Sequence, residues 1–252
     1  MKHKNMHNIL NKIIKYKIKE LKQRKKTFAS QNVFKKVISK TGMILIGEIK
    51  LKSPSAGILG KSQDIIKHAR LYEESGVDVI SIITDKNFFN GNIEFIKKIK
   101  KVIKLPILQK DFILDPYQIY EAKIYGADAI LLIARIVTKQ KLISFVQLAQ
   151  SIGVEPVVEI YDEGDLEKTI ATATSFIAVN ARDLQTFTID LDKACELIKK
   201  IPDKYIKLGF SGVTSALEIK KYKKAGVKGI LIGTSLMKTT NIRDFINNLR
   251  TI

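Results

Sequence analysis

Residues 43–57 read Met-Ile-Leu-Ile-Gly-Glu-Ile-Lys-Leu-Lys-Ser-Pro-Ser-Ala-Gly. Met43 to Ile46 form an apolar run that predicts a buried strand. At its end stand a carboxylate, Glu48, and an ammonium, Lys50. Side chains alternate along a strand, so both point to one face. Ser53-Pro54-Ser55-Ala56-Gly57 then breaks the pattern into a loop. A buried parallel strand is expected to be apolar throughout. Charges at its C-terminal end need a reason, and in parallel barrels that end carries the catalytic groups.

The same logic extends outward through a recurring junction. Helix-like stretches end in a small residue and Gly, and an apolar strand follows. It occurs at Ser75-Gly76-Val77-Asp78, Tyr125-Gly126-Ala127-Asp128, Ile152-Gly153-Val154 and Ala225-Gly226-Val227-Lys228. Gly after a helix supplies the left-handed cap. The glycines are spaced by 50, 27 and 73 residues. Those intervals match multiples of a unit of about 25 residues, as repeated strand–helix units require.

Eight strands fit that period: 43–49, 78–84, 106–110, 128–133, 155–160, 175–180, 205–210 and 228–232. Each is short and rich in Ile, Val or Leu. Asp115-Pro116 opens one intervening helix, with Asp as N-cap and Pro in the first turn. Ile96, Ile99 and Ile103 form the apolar stripe of another. Eight such alternations predict an α/β protein with a closed (β/α)8 barrel, the TIM-barrel architecture. A doubly wound open sheet is the second reading. It is weakened because no G-x-G-x-x-G follows the first strand.

The expected organisation is one barrel domain over 1–252, with an N-terminal helical extension at 1–40 and the barrel at 41–252. In the extension, Leu10, Ile13, Ile14, Ile18 and Leu21 share one helical face. Residues 1–26 carry ten Lys or Arg and one acid, Glu20. A membrane-surface helix is one reading. A helix that covers one end of the barrel fits better, because the stripe is aliphatic and has neither Trp nor Phe.

The chain has 252 residues and a net charge of +19. That charge invites a nucleic-acid partner, but 38 of the 44 basic residues are lysine. Arginine is the residue favoured for bidentate phosphate and base contacts. The lysines also spread over nearly every helix, which reads as solvated faces. No nucleic-acid partner is expected, although a positive surface would draw in a small anionic substrate. No apolar run is long enough to cross a bilayer, and the basic N-terminus lacks the apolar core of a secretory signal. The expected location is therefore cytoplasmic, and the expected state a monomer. The single cysteine, Cys195, excludes an intramolecular disulfide and reads as core packing.

Polar residues mark the ends of the predicted strands. The first strand gives Glu48 and Lys50, the third Lys110, the fifth Glu159, and the sixth Asn180 with Arg182 just beyond. Five such groups converging on one mouth suit catalysis. A purely structural salt-bridge network is the plainer alternative, but such networks cost desolvation and stabilise weakly. Ser211-Gly212 and Gly233-Thr234 follow the seventh and eighth strands, where barrels commonly bind phosphate through backbone N–H groups. A lysine near carboxylates can serve as general acid and a carboxylate as base. His3 and His7 lie in the extension and His68 in a helix away from the mouth. That argues against zinc and against Ser/His/Asp catalysis. No metal or cofactor is expected.

On these residues the chain resembles the indole-3-glycerol-phosphate synthase family of tryptophan biosynthesis. The stretches that carry the resemblance are IGEIKLKSPSAG (46–57), FFNG (88–91), LQKDFILDPYQIYEAKIYGADAILLIAR (108–135), VVEIYDEGDLE (157–167), VNARDLQTF (179–187), SGV (211–213) and LIGTSLM (231–237). The resemblance implies a monofunctional carboxy-lyase. It would turn 1-(2-carboxyphenylamino)-1-deoxyribulose 5-phosphate into indole-3-glycerol phosphate, carbon dioxide and water without metal or cofactor. It implies Lys110 as general acid, Glu159 as base in the dehydration, and Glu48 with Lys50 to orient substrate and shuttle protons. Asn180 would hold sugar hydroxyls and the substrate carboxylate, and Ser53 and Arg182 the anionic groups. Phe89, Phe112 and Leu131 would pack on the aromatic ring. Ser211, Gly212, Ile232, Gly233 and Thr234 would surround the phosphate.

Three departures qualify the resemblance. The family usually reads Glu-Ser-Gly after the seventh strand, and here the residues are Phe210-Ser211-Gly212. An acid is missing, and an apolar neighbour is expected to raise carboxylate pKa values by desolvation. Weakened or altered catalysis is the consequence. Tyr161 stands where His is usual and Ala181 where Asn or Ser is common, both expected to be milder. A different phosphate-binding barrel enzyme, or a catalytically weakened or repurposed barrel of the same family, are the alternatives.

Overall fold

Apolar strands must be covered on both sides, and alternation assigns each side its own residues. The computed structural model describes residues 33–250 except 41, together with Lys15, Tyr16, Lys17 and Lys19. Eight strands close into a parallel barrel: β1 (Ile44–Ile49), β2 (Val79–Ile83), β3 (Ile107–Lys110), β4 (Ala129–Ile133), β5 (Glu155–Ile160), β6 (Phe176–Asn180), β7 (Ile206–Phe210) and β8 (Gly229–Ile232). Each strand pairs with its sequence neighbours, and β8 closes on β1 through Ile44 opposite Gly229. All eight expected strands are present; the fifth has the expected bounds and the other seven lose one residue at one or both ends.

Two separate apolar cores follow from the alternation. Ile44, Ile46, Val79, Leu108, Ala129, Leu131, Val157, Phe176, Ala178, Leu208 and Leu231 fill the barrel interior. The intervening residues, such as Leu45, Ile80, Ile130, Val158 and Ile177, face the surrounding helices. The stripe Ile96, Ile99 and Ile103 is buried in that outer layer, as its spacing predicts.

The junction glycines have φ of 90° at Gly76, 94° at Gly126, 72° at Gly153 and 93° at Gly226. These are the left-handed caps inferred from the repeat. The aspartates after two of them have a second use. Asp78 accepts the backbone N–H of Leu45 at 2.9 Å, and Asp128 that of Ile107 at 2.7 Å. Each carboxylate thus pins the start of the preceding strand and fixes the register on which the mouth depends. Asp115 caps its helix, Pro116–Tyr125, in a box completed by Gln118.

The chain divides into two compact units, 1–32 and 33–252. Lys15, Tyr16, Lys17 and Lys19 are helical. The expected stripe Leu10, Ile13, Ile14, Ile18 and Leu21 lies outside the described residues. Within the second unit, α1 (Val33–Ile38) sends Phe34 and Ile38 into the interior core at the N-terminal end of the barrel. Phe34 meets Phe176 edge-on, ring centroids 5.5 Å apart. The compact unit therefore begins at Val33 rather than at 41, because these two side chains complete the interior.

Phe34→Ala is expected to cost about 3–5 kcal/mol, the range for emptying a buried aromatic site. Urea unfolding with unchanged m-value is the measurement that checks it.

Candidate active site

The C-terminal ends of the strands open into one cavity. Glu48, Lys50, Ser53, Phe89, Lys110, Asn180 and Arg182 line it, together with Ser211, Gly212, Ile232, Gly233 and Thr234. Nearly all the sequence-derived candidates therefore meet in one place. Three sit differently. Leu131 lies deeper, 1% exposed in the interior core. Phe112 packs against that core and reaches the mouth through Phe89, with ring centroids 6.3 Å apart. Glu159 is buried at the end of β5, joined to the cavity wall by its bond with Asn180.

Glu48 is the anchor. It is 2% exposed, and Lys50 Nζ lies 2.9 Å from one carboxylate oxygen. Lys110 Nζ lies 3.5 Å from the other, an ion-pair distance longer than a well-formed hydrogen bond. Burial alone would raise its pKa, but the two ammoniums outweigh burial and hold it at about 2. Glu159 behaves in the opposite way. Burial raises its pKa, and Lys110 together with a 3.2 Å bond from Asn180 only partly offsets that. Its Oε2 has no hydrogen-bond partner. Burial thus prevails at Glu159 and is overridden at Glu48, where the cations are close.

Lys110 faces both carboxylates. Burial lowers its pKa, but Glu48 and Glu159 prevail and raise it. The lysine keeps its proton. Asn180 turns its amide to Glu159 and accepts the Arg182 backbone N–H at 3.0 Å. The Arg182 guanidinium donates to the Phe187 carbonyl at 2.9 Å and to Ser55 at 3.4 Å. The loop after β6 is thereby tied to the loop after β1. Phe187 was invisible as a candidate because its contribution is a backbone carbonyl, which no side-chain pattern reveals.

The loops after β7 and β8 are shaped by close approach. Ser211 has φ of 68° and Gly212 of 77°. A left-handed serine costs energy and persists only where surroundings impose it. Here the buried Tyr222 hydroxyl donates to the Phe210 carbonyl at 3.1 Å and the Ser211 carbonyl at 3.0 Å. Ser235 donates to the Val213 carbonyl at 2.7 Å and ties the two loops together. A Cβ on Gly233 would strike the Glu48 carboxylate, so glycine is what leaves the carboxylate its place.

The comparisons follow the same lines. The family profile described as indole-3-glycerol phosphate synthase matches residues 2–249. The chain belongs to the indole-3-glycerol phosphate synthase family. It is 39% identical over 257 residues to the family enzyme of Thermoanaerobacter sp. (strain X514), covering 96% of this chain and 98% of that one. It is 39% identical over 198 residues to that of Rhodopirellula baltica, covering 79% and 76%. Among solved structures, 3-hexulose-6-phosphate synthase superposes with a TM-score of 0.67 at 17% identity, over 83% of this chain and 99% of that one. A tryptophan synthase complex from Pyrococcus furiosus gives 0.62 at 17%, over 83% and 98%. Those two share the fold.

Against the family pattern, Phe210 is buried in the interior core and forms part of the cavity wall. Tyr161 lies outside the cavity, its ring between Arg135 at 4.5 Å and Lys193 at 3.9 Å. Ala181 is buried and donates its N–H to the Phe210 carbonyl at 2.9 Å. Among the described residues no group of three His, Cys, Asp or Glu could hold a metal ion, and no helix is long and apolar enough to cross a membrane.

Tyr222→Phe removes the bond to the Ser211 carbonyl and one of the two at the Phe210 carbonyl, which keeps the Ala181 N–H. It is expected to raise KM for a phosphate-bearing substrate several-fold while kcat changes little, and to cost about 1 kcal/mol for the lost hydrogen bonding. Steady-state kinetics and thermal unfolding check the two parts.

Proposed function

We propose that the mouth of this barrel carries out the family reaction, with Lys110 as general acid and Glu159 as base. Family membership makes the chain a decarboxylating, ring-closing lyase of tryptophan biosynthesis acting on a phosphate-bearing small molecule. The observation that carries the assignment is Lys110. It is an ammonium at the mouth, 3.5 Å from the ion-paired carboxylate of Glu48, and the nearby Glu159 carboxylate keeps an oxygen with no hydrogen-bond partner.

The substrate is 1-(2-carboxyphenylamino)-1-deoxyribulose 5-phosphate. Its aryl carbon bearing the carboxylate attacks the ketone carbon. Lys110 donates its proton to the ketone oxygen as the new carbon–carbon bond forms. The carboxylate leaves as carbon dioxide, and its electron pair restores the aromatic ring. In the dehydration Glu159 removes a proton from the adjacent carbon. The hydroxyl takes a proton from the reloaded Lys110 and leaves as water, and the double bond of the indole forms.

Glu48 and Lys50 orient the substrate and reload Lys110 with its proton. Asn180 holds Glu159 in place and reaches the sugar hydroxyls and the substrate carboxylate. Arg182, Lys50 and Ser53 face its anionic groups. Ser211, Gly212, Ile232, Gly233 and Thr234 receive the phosphate, supported by the joined β7 and β8 loops and the general preference of barrels for phosphate there. Phe89 packs on the aromatic ring, backed by Phe112, while Leu131 supports the floor below. The expected working state is a monomer with one barrel domain and an N-terminal extension.

Phe210 supports a second reading, in which catalysis is weakened relative to relatives that carry Glu there. An apolar ring in the wall provides neither a proton nor a hydrogen bond to the substrate. Phe210→Glu is expected to raise kcat/KM. An unchanged value would sink this reading.

Fluorescence of indole-3-glycerol phosphate follows the reaction directly. Wild type is expected to form product, and Lys110→Ala to lose about 10²–10⁴-fold, the usual contribution of a general acid. Product formation by Lys110→Ala at the wild-type rate would remove Lys110 from the mechanism. The pH dependence has a definite sign. Glu159 works ionised and its pKa is raised, so kcat/KM falls as pH drops through a value above the ordinary glutamate range. Glu159→Gln is expected to abolish that acid limb together with most of the rate.

A further inference from the structure

Three buried polar atoms on the inner wall have no hydrogen-bond partner: Glu48 Oε2, Glu159 Oε2 and Ser81 Oγ. The two carboxylate oxygens belong to the mouth. Ser81 belongs to nothing described so far. It is 0% exposed, in the middle of β2. Val79, two residues earlier, lies in the interior core, so alternation puts Ser81 on the inner face. The strand register sets Ser81 directly opposite Glu48.

A hydroxyl buried without a partner is costly, and an apolar residue at that position would remove the cost. Val79 on the same face shows that the barrel wall accepts one. An unsatisfied group kept at a reacting centre calls for an explanation. The neighbour that gives one is Glu48, whose Oε2 depends on Lys110 alone at 3.5 Å.

We propose that Ser81 is a positioning residue for the reaction: its hydroxyl becomes the donor to Glu48 Oε2, directly or through one water, when Lys110 turns to the substrate. The inference rests on the role of Lys110 given above. As Lys110 delivers its proton it ceases to be a cation, and Glu48 retains Lys50 on one oxygen only. A buried carboxylate with one bare oxygen is expensive. A donor already fixed in the adjacent strand lowers that cost at the moment it arises, without rearrangement of the wall. The resting state leaves the Ser81 hydroxyl unpartnered because Lys110 then occupies the position.

Ser81→Ala tests this, with stability and kinetics measured on the same protein. The expected result is an unchanged or higher Tm, because an unpaired buried hydroxyl is gone. The same variant is expected to lose about tenfold in kcat, the scale of one hydrogen bond to a charged group, with KM unchanged. Ser81→Cys, which keeps a weak donor of similar size, is expected to fall between the two. A purely structural serine would show the reverse, a lower Tm with kcat intact, and that outcome overturns the inference. Equal kcat in wild type and Ser81→Ala overturns it as well. Lys110→Ala run alongside separates the two levels of the argument. If that variant loses activity while Ser81→Ala does not, only the Ser81 role falls. If Lys110→Ala remains fully active, both roles fall.

Discussion

A carboxylate taken out of water must find positive charge close by, and Glu48 meets that requirement inside a barrel wall. Its two cations come from different strands, Lys50 from the end of β1 and Lys110 from β3. The Lys110 distance does not survive a shift of register, since a one-residue slip of either strand would turn its side chain to the other face. The strand starts are therefore fixed from below by Asp78 and Asp128, which accept the N–H of the second residue of β1 and of the first residue of β3. The bottom of the barrel sets the spacing that the top uses. Gly233 completes the arrangement by leaving room where any side chain would strike the carboxylate.

Two glutamates on one wall have opposite electrostatics for a simple reason. Glu48 has two ammoniums nearby, and Glu159 has one ammonium and an amide. The first is held ionised between two ammoniums, and the second keeps an oxygen and a raised pKa with which to exchange a proton. This division between anchoring and exchanging carboxylates is a recurrent way to run acid and base chemistry in one cavity.

The fold was legible in the sequence because its signals are periodic. The Gly-capped junctions and the Ile/Val-rich runs repeat about every 25 residues, and the observed strands fall within the expected ones. The charged residues of the mouth were legible because they violate the rule that a buried parallel strand is apolar. What escaped is what lacks a side-chain pattern. The Phe187 carbonyl that receives Arg182 is backbone, and the hold of Tyr222 on Ser211 spans eleven residues of chain and a turn from helix to loop. Phe34 and Ile38 also escaped, because a six-residue helix is too short to show a stripe.

The outer face of the barrel holds a feature with wider reach. A Cβ on Gly47 would stand 2.8 Å from the Tyr72 ring, and one on Gly209 would stand 2.6 Å from the Tyr222 ring. Each tyrosine lies flat against a strand glycine, and its hydroxyl then reaches the top of the barrel: Tyr72 to Met237 and Tyr222 to Ser211. The two rings act as struts between the helical coat and the rim. Drift in sequence on the coat is therefore not neutral for the chemistry. A helix that shifts along its axis carries its strut with it, and the rim follows, so the packing of the coat and the shape of the mouth are mechanically one problem.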